Sequence, residues 1–309
     1  MTEHDEKRKQ VAIVGCDNIE VFSAYMLAKS SCVNELLLVG HGNKVLADDL
    51  RMFLHGTSLK QTANVSAVEI GDAARADIVV IASKVDQEPD ESWADHLRRA
   101  AAKVRADVRA IVDAGFDGVF LVTTNPIDVM AYVARHESGL PASRVIGLAT
   151  ESVPGKWTED RQIGSAIWCS GLCSNGAFVD NCDPICPYFQ TVVKDVQNRN
   201  STQNRTSSLA TCVVSICEAI LRGENEVFPV SAMVSGEPGS PEVYLNMLCL
   251  LGHKGVKRVV KKRVTIGERQ KMLRYAAELR SLIGELQPVM DMSDPSFPQC
   301  PVLQGEAHR

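Results

Sequence analysis

Four apolar runs of strand length, Val11 to Val14, Glu35 to Val39, Ala76 to Ala82 and Val119 to Thr123, are separated by amphipathic segments. Runs without alternation mark strands buried on both faces. Their alternation with helical segments restricts the first half of the chain to a parallel sheet covered by helices on each side. Before the fourth run, Trp93, Leu97, Ala100, Val104, Val108, Ile111 and Val112 recur at helical spacing, with Arg98, Arg99, Arg105 and Arg109 largely between them. This spacing predicts an amphipathic helix with a solvated basic side. A further run, Arg144 to Leu148, ends the regular alternation. Beyond residue 150 come a cysteine-rich stretch, the polar segment NRNSTQNRTSS, an apolar helix around Leu209 to Leu221, the strand-like VFPVSAMVSG and a last helix near Glu268 to Leu286. After Gln287 no periodicity remains, and a disordered tail is expected.

Charge and composition narrow the function classes. With 45% apolar and 23% charged residues the chain is an ordinary globular one. Its net charge of -5 argues against nucleic acid as the main partner, because neutralising phosphates needs a basic surface. The start, MTEHDEKRKQ, has no apolar core of a leader, and no apolar run is long enough to span a bilayer. The expectation is a soluble cytoplasmic protein with no membrane partner. Ten cysteines in that setting read as thiols, and the sequons at Asn64, Asn200 and Asn204 then carry no weight. Cys169, Cys173, Cys182 and Cys186 form C-x3-C-x8-C-x3-C, which raises a structural zinc. The preferred reading is small buried hydrophobes and no metal. Cys173 also has no nearby histidine in sequence to activate it as a nucleophile.

The stretch QVAIVGCDNIEVFSAYMLAKSS, residues 10 to 31, resembles the first strand, turn and helix of a dinucleotide-binding fold. FLVTTNPIDVMAYVARHESGLPASRVIGLAT, ADDLRMFLHG and LRGENEVFPVSAMVSGEPGSPEVYLNMLCLLGHKGVKRVV are similar, in the right order, to stretches of the lactate/malate dehydrogenase family. The resemblance covers about residues 10 to 286. It implies an α/β chain: a Rossmann-type doubly wound parallel sheet with a C-terminal α+β domain of the lactate/malate dehydrogenase kind. The expected division is a tail over 1–9, a degenerate dinucleotide-binding domain over 10–149, the C-terminal domain over 150–286 and the disordered tail over 287–309.

Carried residue by residue, the resemblance also locates departures. The fingerprint glycines fall at Gly15, Asp17 and Glu20, and the acid that would hold the ribose hydroxyls falls at Gly40. A carboxylate facing a phosphate at about 5 Å costs on the order of 3 kcal/mol at an effective dielectric of about 20. Asp17 and Asn18 also fit ordinary turn and N-cap roles. The carbonyl-polarising arginine falls at Trp93, the orienting aspartate at Val153, the carboxylate-gripping arginine at Lys156, the acid/base histidine near Cys173, and the substrate threonine at Arg205 or Thr206. Between Glu137 and Gly252 there is no histidine. Pro154 interrupts a helical face. Asn125 is retained and suits substrate and ribose contact, although Asn125-Pro126 with Asp128 also makes a good helix start. Gln87 matches the lactate-type specificity position, in a loop made acidic by Asp86, Glu88, Asp90 and Glu91, which would repel a carboxylate.

These departures lead to the expectation of a pseudoenzyme: the fold kept, the hydride-transfer site lost, no cofactor bound, and an interaction or scaffold role with an unknown protein partner. The alternatives are a divergent NAD-dependent L-2-hydroxyacid dehydrogenase, lactate- or malate-specific, and a binder of another small ligand in the old cleft. In each case a homo-oligomer, dimer or tetramer, is expected, because VLADDLRMFLHG has more apolar residues than one helix face packed on a sheet needs.

Overall fold

A computed structural model describes residues 9–15, 18–40, 43–55, 63–149, 202–223, 225–234, 242–260 and 266–286. The chain runs β1 (Gln10–Val14), α1 (Asn18–Ala28), β2 (Glu35–Val39), α2 (Asn43–His55), β3 (Asn64–Val68), β4 (Ile78–Ile81), α3 (Trp93–Asp113), β5 (Val119–Val122), α4 (Ile127–Ser138) and β6 (Val145–Leu148). It continues with α5 (Thr202–Arg222), β7 (Val227–Val234), β8 (Val243–Gly252), β9 (Gly255–Val259) and α6 (Ile266–Glu285). All nine strands lie in one sheet, in the order β3-β2-β1-β4-β5-β6-β7-β8-β9.

Strands β1 to β6 pair in parallel, and β7, β8 and β9 extend the same sheet antiparallel beyond β6. The doubly wound sheet and the α/β class stand as the sequence implied. Strand order reverses between β1 and β4, which places a crevice at the carboxyl ends of these strands. The strands pair because their side chains are removed from water on both faces. Ile13, Leu36, Leu37, Leu38 and Phe120 are fully buried, and each such side chain contributes roughly 1.5–3 kcal/mol of transfer free energy.

The antiparallel extension is locked to the parallel part by close approach. A Cβ on Gly147 of β6 would sit 2.6 Å from Ile127 Cγ2 and 2.8 Å from Ser231 Cβ, so its missing side chain lets α4 and β7 both pack on β6. Buried Tyr244 of β8 donates its hydroxyl to the Val145 carbonyl at 3.1 Å. Helix α5 begins at Thr202, inside the polar segment, and packs along α1. The tail expected after Gln287 and the four-cysteine segment lie outside the described residues.

Candidate functional site

The turn after β1 sits at the reversal of strand order. Gly15 has φ +111°, and a Cβ there would run into the Ala82 carbonyl at the end of β4. Its N–H donates to the Val39 carbonyl of β2 at 3.1 Å. Only glycine passes between the ends of β2 and β4 in this conformation. Helix α1 starts three residues later, so its N-terminal end lies just past the β1 turn at the carboxyl ends of the strands. That is the end of a helix that favours an anionic group.

Glu20 packs inward from α1. Glu20 is 4% exposed, with its carboxylate turned inward, and the Thr123 hydroxyl lies 3.1 Å from Glu20 Oε1. The same hydroxyl lies 3.1 Å from the Ile81 carbonyl oxygen, and the Thr124 hydroxyl donates to that oxygen at 3.2 Å. Glu20 thus lies between α1 and the end of β5, at the place the resemblance gives to close helix-strand packing. Asp17 lies outside the described residues. Gly40 closes β2 exposed, with no acid at that place.

On the other side of the reversal, β5 leads through Thr123 and Thr124 to exposed Asn125 and a cis bond to Pro126. Helix α4 then buries Asp128, which accepts hydrogen bonds from the Ser231 hydroxyl of β7 and, at 2.6 Å, the Tyr275 hydroxyl of α6. Burial raises its carboxyl pKa above the ordinary value, and the two hydroxyls oppose that shift. Asp128 therefore ties the segment behind Asn125 to the antiparallel extension and the last helix. A third buried carboxylate, Asp107 of α3, accepts from the Ser83 hydroxyl at 2.5 Å, just past β4, and pairs with Lys103.

Residues 84–92 join β4 to α3 and contain Gln87. Asp90 turns the chain with φ +66°, and the Ser92 hydroxyl caps α3 by accepting from Asp95 N at 3.2 Å. Trp93, at the polarising arginine's place, is the first residue of α3, half-buried against the core. The acidic character expected of this segment is offset locally. Arg99 donates from Nε to Glu91 Oε1 at 2.7 Å and from Nη2 to Glu91 Oε2 at 2.8 Å. Those bonds lower the Glu91 pKa to about 2. His96 Nδ1 lies 3.5 Å from Glu91 Oε2, and Gln87 Nε2 donates to the Glu91 carbonyl at 3.1 Å.

The structure thus brings Gly15, Glu20, Thr123 and Asn125 to the strand ends, with Gln87 on the connection from β4 to α3 and Trp93 at the start of α3. Val153, Lys156 and Cys173 lie outside the described residues, and Arg205 is placed only as part of α5. Sequence reasoning missed Arg99, which it assigned to a solvated basic face, and the pairing of Asp128 with Ser231 and Tyr275. The carboxylates Glu88 and Glu91, within reach of Arg99 across the turn of a helix start, were the one local signal for the first. Among the described residues no group of three or more His, Cys, Asp or Glu side chains is arranged to hold a metal ion. No helix there is long and apolar enough to cross a membrane.

A doubly wound sheet with a tight glycine turn at its reversal and an antiparallel extension beyond β6 defines a dinucleotide-binding class of α/β protein. Residues 9–147 match the lactate/malate dehydrogenase NAD-binding domain and residues 190–288 the alpha/beta C-terminal domain of the same family. The chain belongs to the lactate/malate dehydrogenase family. It is 26% identical to L-lactate dehydrogenase 2 of Enterococcus faecalis, over 91% of this chain and 98% of that protein. It is 25% identical to L-lactate dehydrogenase of Priestia megaterium, over 90% of this chain and 97% of that one. Among solved structures, a lactate dehydrogenase from a Medee basin deep-sea metagenome library superposes with a TM-score of 0.73 at 24% identity, over 90% of this chain and 99% of that one.

These matches overturn the expectation of a pseudoenzyme with an interaction or scaffold role. The relatives are named L-lactate dehydrogenases and align over nearly their whole length.

Proposed function

We propose that this protein is a divergent NAD-dependent L-2-hydroxyacid dehydrogenase of the lactate or malate type. The observation that carries the reading is the end-to-end match to proteins named L-lactate dehydrogenase, through both domains. The described cleft residues fit a dinucleotide. Gly15 closes the β1 turn without a side chain, and α1 presents its N-terminal end beside that turn. NAD, when bound, supplies the electron carrier for interconverting a 2-hydroxy acid and a 2-oxo acid. The chain's own residues bind and orient: Gly15 and the start of α1 at the pyrophosphate, Asn125 towards the substrate, Gln87 at the specificity position.

With Gly40 in place of an acid, no carboxylate at the end of β2 selects the ribose hydroxyls or repels a 2′-phosphate. NADH and NADPH are therefore to be compared directly. With no histidine between Glu137 and Gly252, proton transfer falls to a group other than the family's histidine. The protein also acts as a homo-oligomer in this reading, through the exposed apolar side of α2. The test is calorimetric titration of both nucleotides, followed by assay with pyruvate and with oxaloacetate. Binding of a reduced nucleotide and turnover of one 2-oxo acid are expected. Failure to bind either nucleotide, or binding without turnover of either acid, would sink the proposal.

A further inference from the structure

The connection between β4 and α3 has no helix or strand of its own from residue 84 to 92, yet it carries four carboxylates within six residues: Asp86, Glu88, Asp90 and Glu91. Their mutual repulsion favours a splayed chain. The structure shows it folded onto the first two turns of α3, and several of its ties converge on one side chain. Arg99 forks onto both oxygens of Glu91, at 2.7 and 2.8 Å, and donates a further bond from Nη2 to the Asp86 carbonyl at 2.7 Å. Its Nη1 lies 3.7 Å from Glu88 Oε1. The Glu91 carboxylate held in this way also accepts the Glu88 N–H at 3.0 Å. The Glu91 carbonyl accepts the Gln87 side-chain amide at 3.1 Å. A chain of contacts therefore runs from the Arg99 guanidinium through Glu91 to Gln87.

We propose that Arg99 is a positioning residue: its fork on Glu91 and its bond to the Asp86 carbonyl fix the shape of residues 84–92, and through Gln87 that shape sets which 2-oxo acid the cleft accepts. The second half of this statement rests on the dehydrogenase reading; the first half does not. The role requires a planar, two-pronged donor that also reaches a carbonyl. Lysine brings the same charge as a single point and cannot reproduce the fork. Because Arg99 holds Glu91 with a pKa of about 2, the pair stays ionised through the neutral range.

The test uses the full chain and the variants Arg99→Lys, Arg99→Met, Glu91→Gln and the double variant Arg99→Met/Glu91→Gln. Hydrogen exchange is followed in peptides covering 84–92, with peptides of β1, β4 and β5 as the control. Exchange in 84–92 should rise at least about tenfold in Arg99→Lys and further in Arg99→Met, with the strands unchanged. The double variant should exchange no faster than the faster single one, because the two residues act as a unit. Exchange in 84–92 within twofold of the unmodified chain would overturn the positioning role, whether or not the protein turns over substrate. The ratio of kcat/KM for pyruvate to that for oxaloacetate should shift at least about threefold in Arg99→Lys. Faster exchange with an unchanged ratio would remove the specificity role. Absence of turnover in the unmodified chain would count against the dehydrogenase reading and the specificity role together, leaving the exchange data to decide the positioning role.

Discussion

Single positions at the strand ends are fixed by geometry that can be tested one at a time. Gly15→Ala should destabilise the fold by on the order of 3 kcal/mol, since it combines a positive φ with a clash against backbone at Ala82. Denaturant unfolding measures this, and a loss below about 1 kcal/mol would show that the turn relaxes. Asp128 gives a pH signature. Burial raises its folded-state pKa, so the folded chain keeps a proton that the unfolded chain releases near pH 4. Stability from this group is then full below the unfolded pKa and falls as pH rises to the folded pKa. Asn has no proton to lose, so Asp128→Asn should gain on the parent chain as pH rises through that window. A difference independent of pH would rule out the buried titration. Residue types at these places were legible in the sequence, but their surroundings were not. Glu20 reads only as a departure from the glycine fingerprint until Thr123, 103 residues away, is seen to lie 3.1 Å from its carboxylate. Asp128 reads as a helix-start acid until β7 and α6 supply its two hydroxyls.

Elements with strong periodicity were legible almost to the residue: β2 at Glu35–Val39 and α3 from Trp93 coincide with the apolar patterns that announced them. Strand β3 was not, because it is the edge of the sheet and only Val65 of its five residues is buried, so its composition carries little apolar signal. The start of α5 was missed for a related reason. Asn, Thr and Ser are poor interior helix formers, and this helix is held by packing on α1 rather than by propensity. Where propensity and packing agree, a single cap is measurable. Ser92→Ala removes the side chain that accepts from Asp95 N and should cost about 1 kcal/mol. At the junction of β6 with α4 and β7 packing alone decides. Gly147→Ala must displace Ile127 and Ser231 and should cost roughly 1–3 kcal/mol. Equal stability of that variant and its parent in denaturant would mean that the antiparallel extension is free to shift on the parallel sheet.

At the scale of the whole molecule, one surface asks for a partner. Helix α2 buries Ala47 and Leu50 in the core, yet it also leaves Val45 65% and Met52 74% exposed, seven residues apart and so on one side of the helix. A helix on a sheet needs one apolar stripe, and this one has apolar residues on a second side as well. In a chain proposed to work as a homo-oligomer, the occupant of that side is a second copy, since a twofold contact sets the same patch of each protomer against its equal. Sedimentation at micromolar concentration should therefore give a dimer or tetramer. The double variant Val45→Glu with Met52→Glu should weaken association by at least about two decades, because it replaces apolar burial worth roughly 3 kcal/mol with carboxylates facing one another. The variant should keep the unfolding midpoint of the isolated protomer, as neither side chain belongs to the buried core. A parent chain that sediments as a clean monomer would remove the oligomer. An oligomer indifferent to the double substitution would move the interface away from α2.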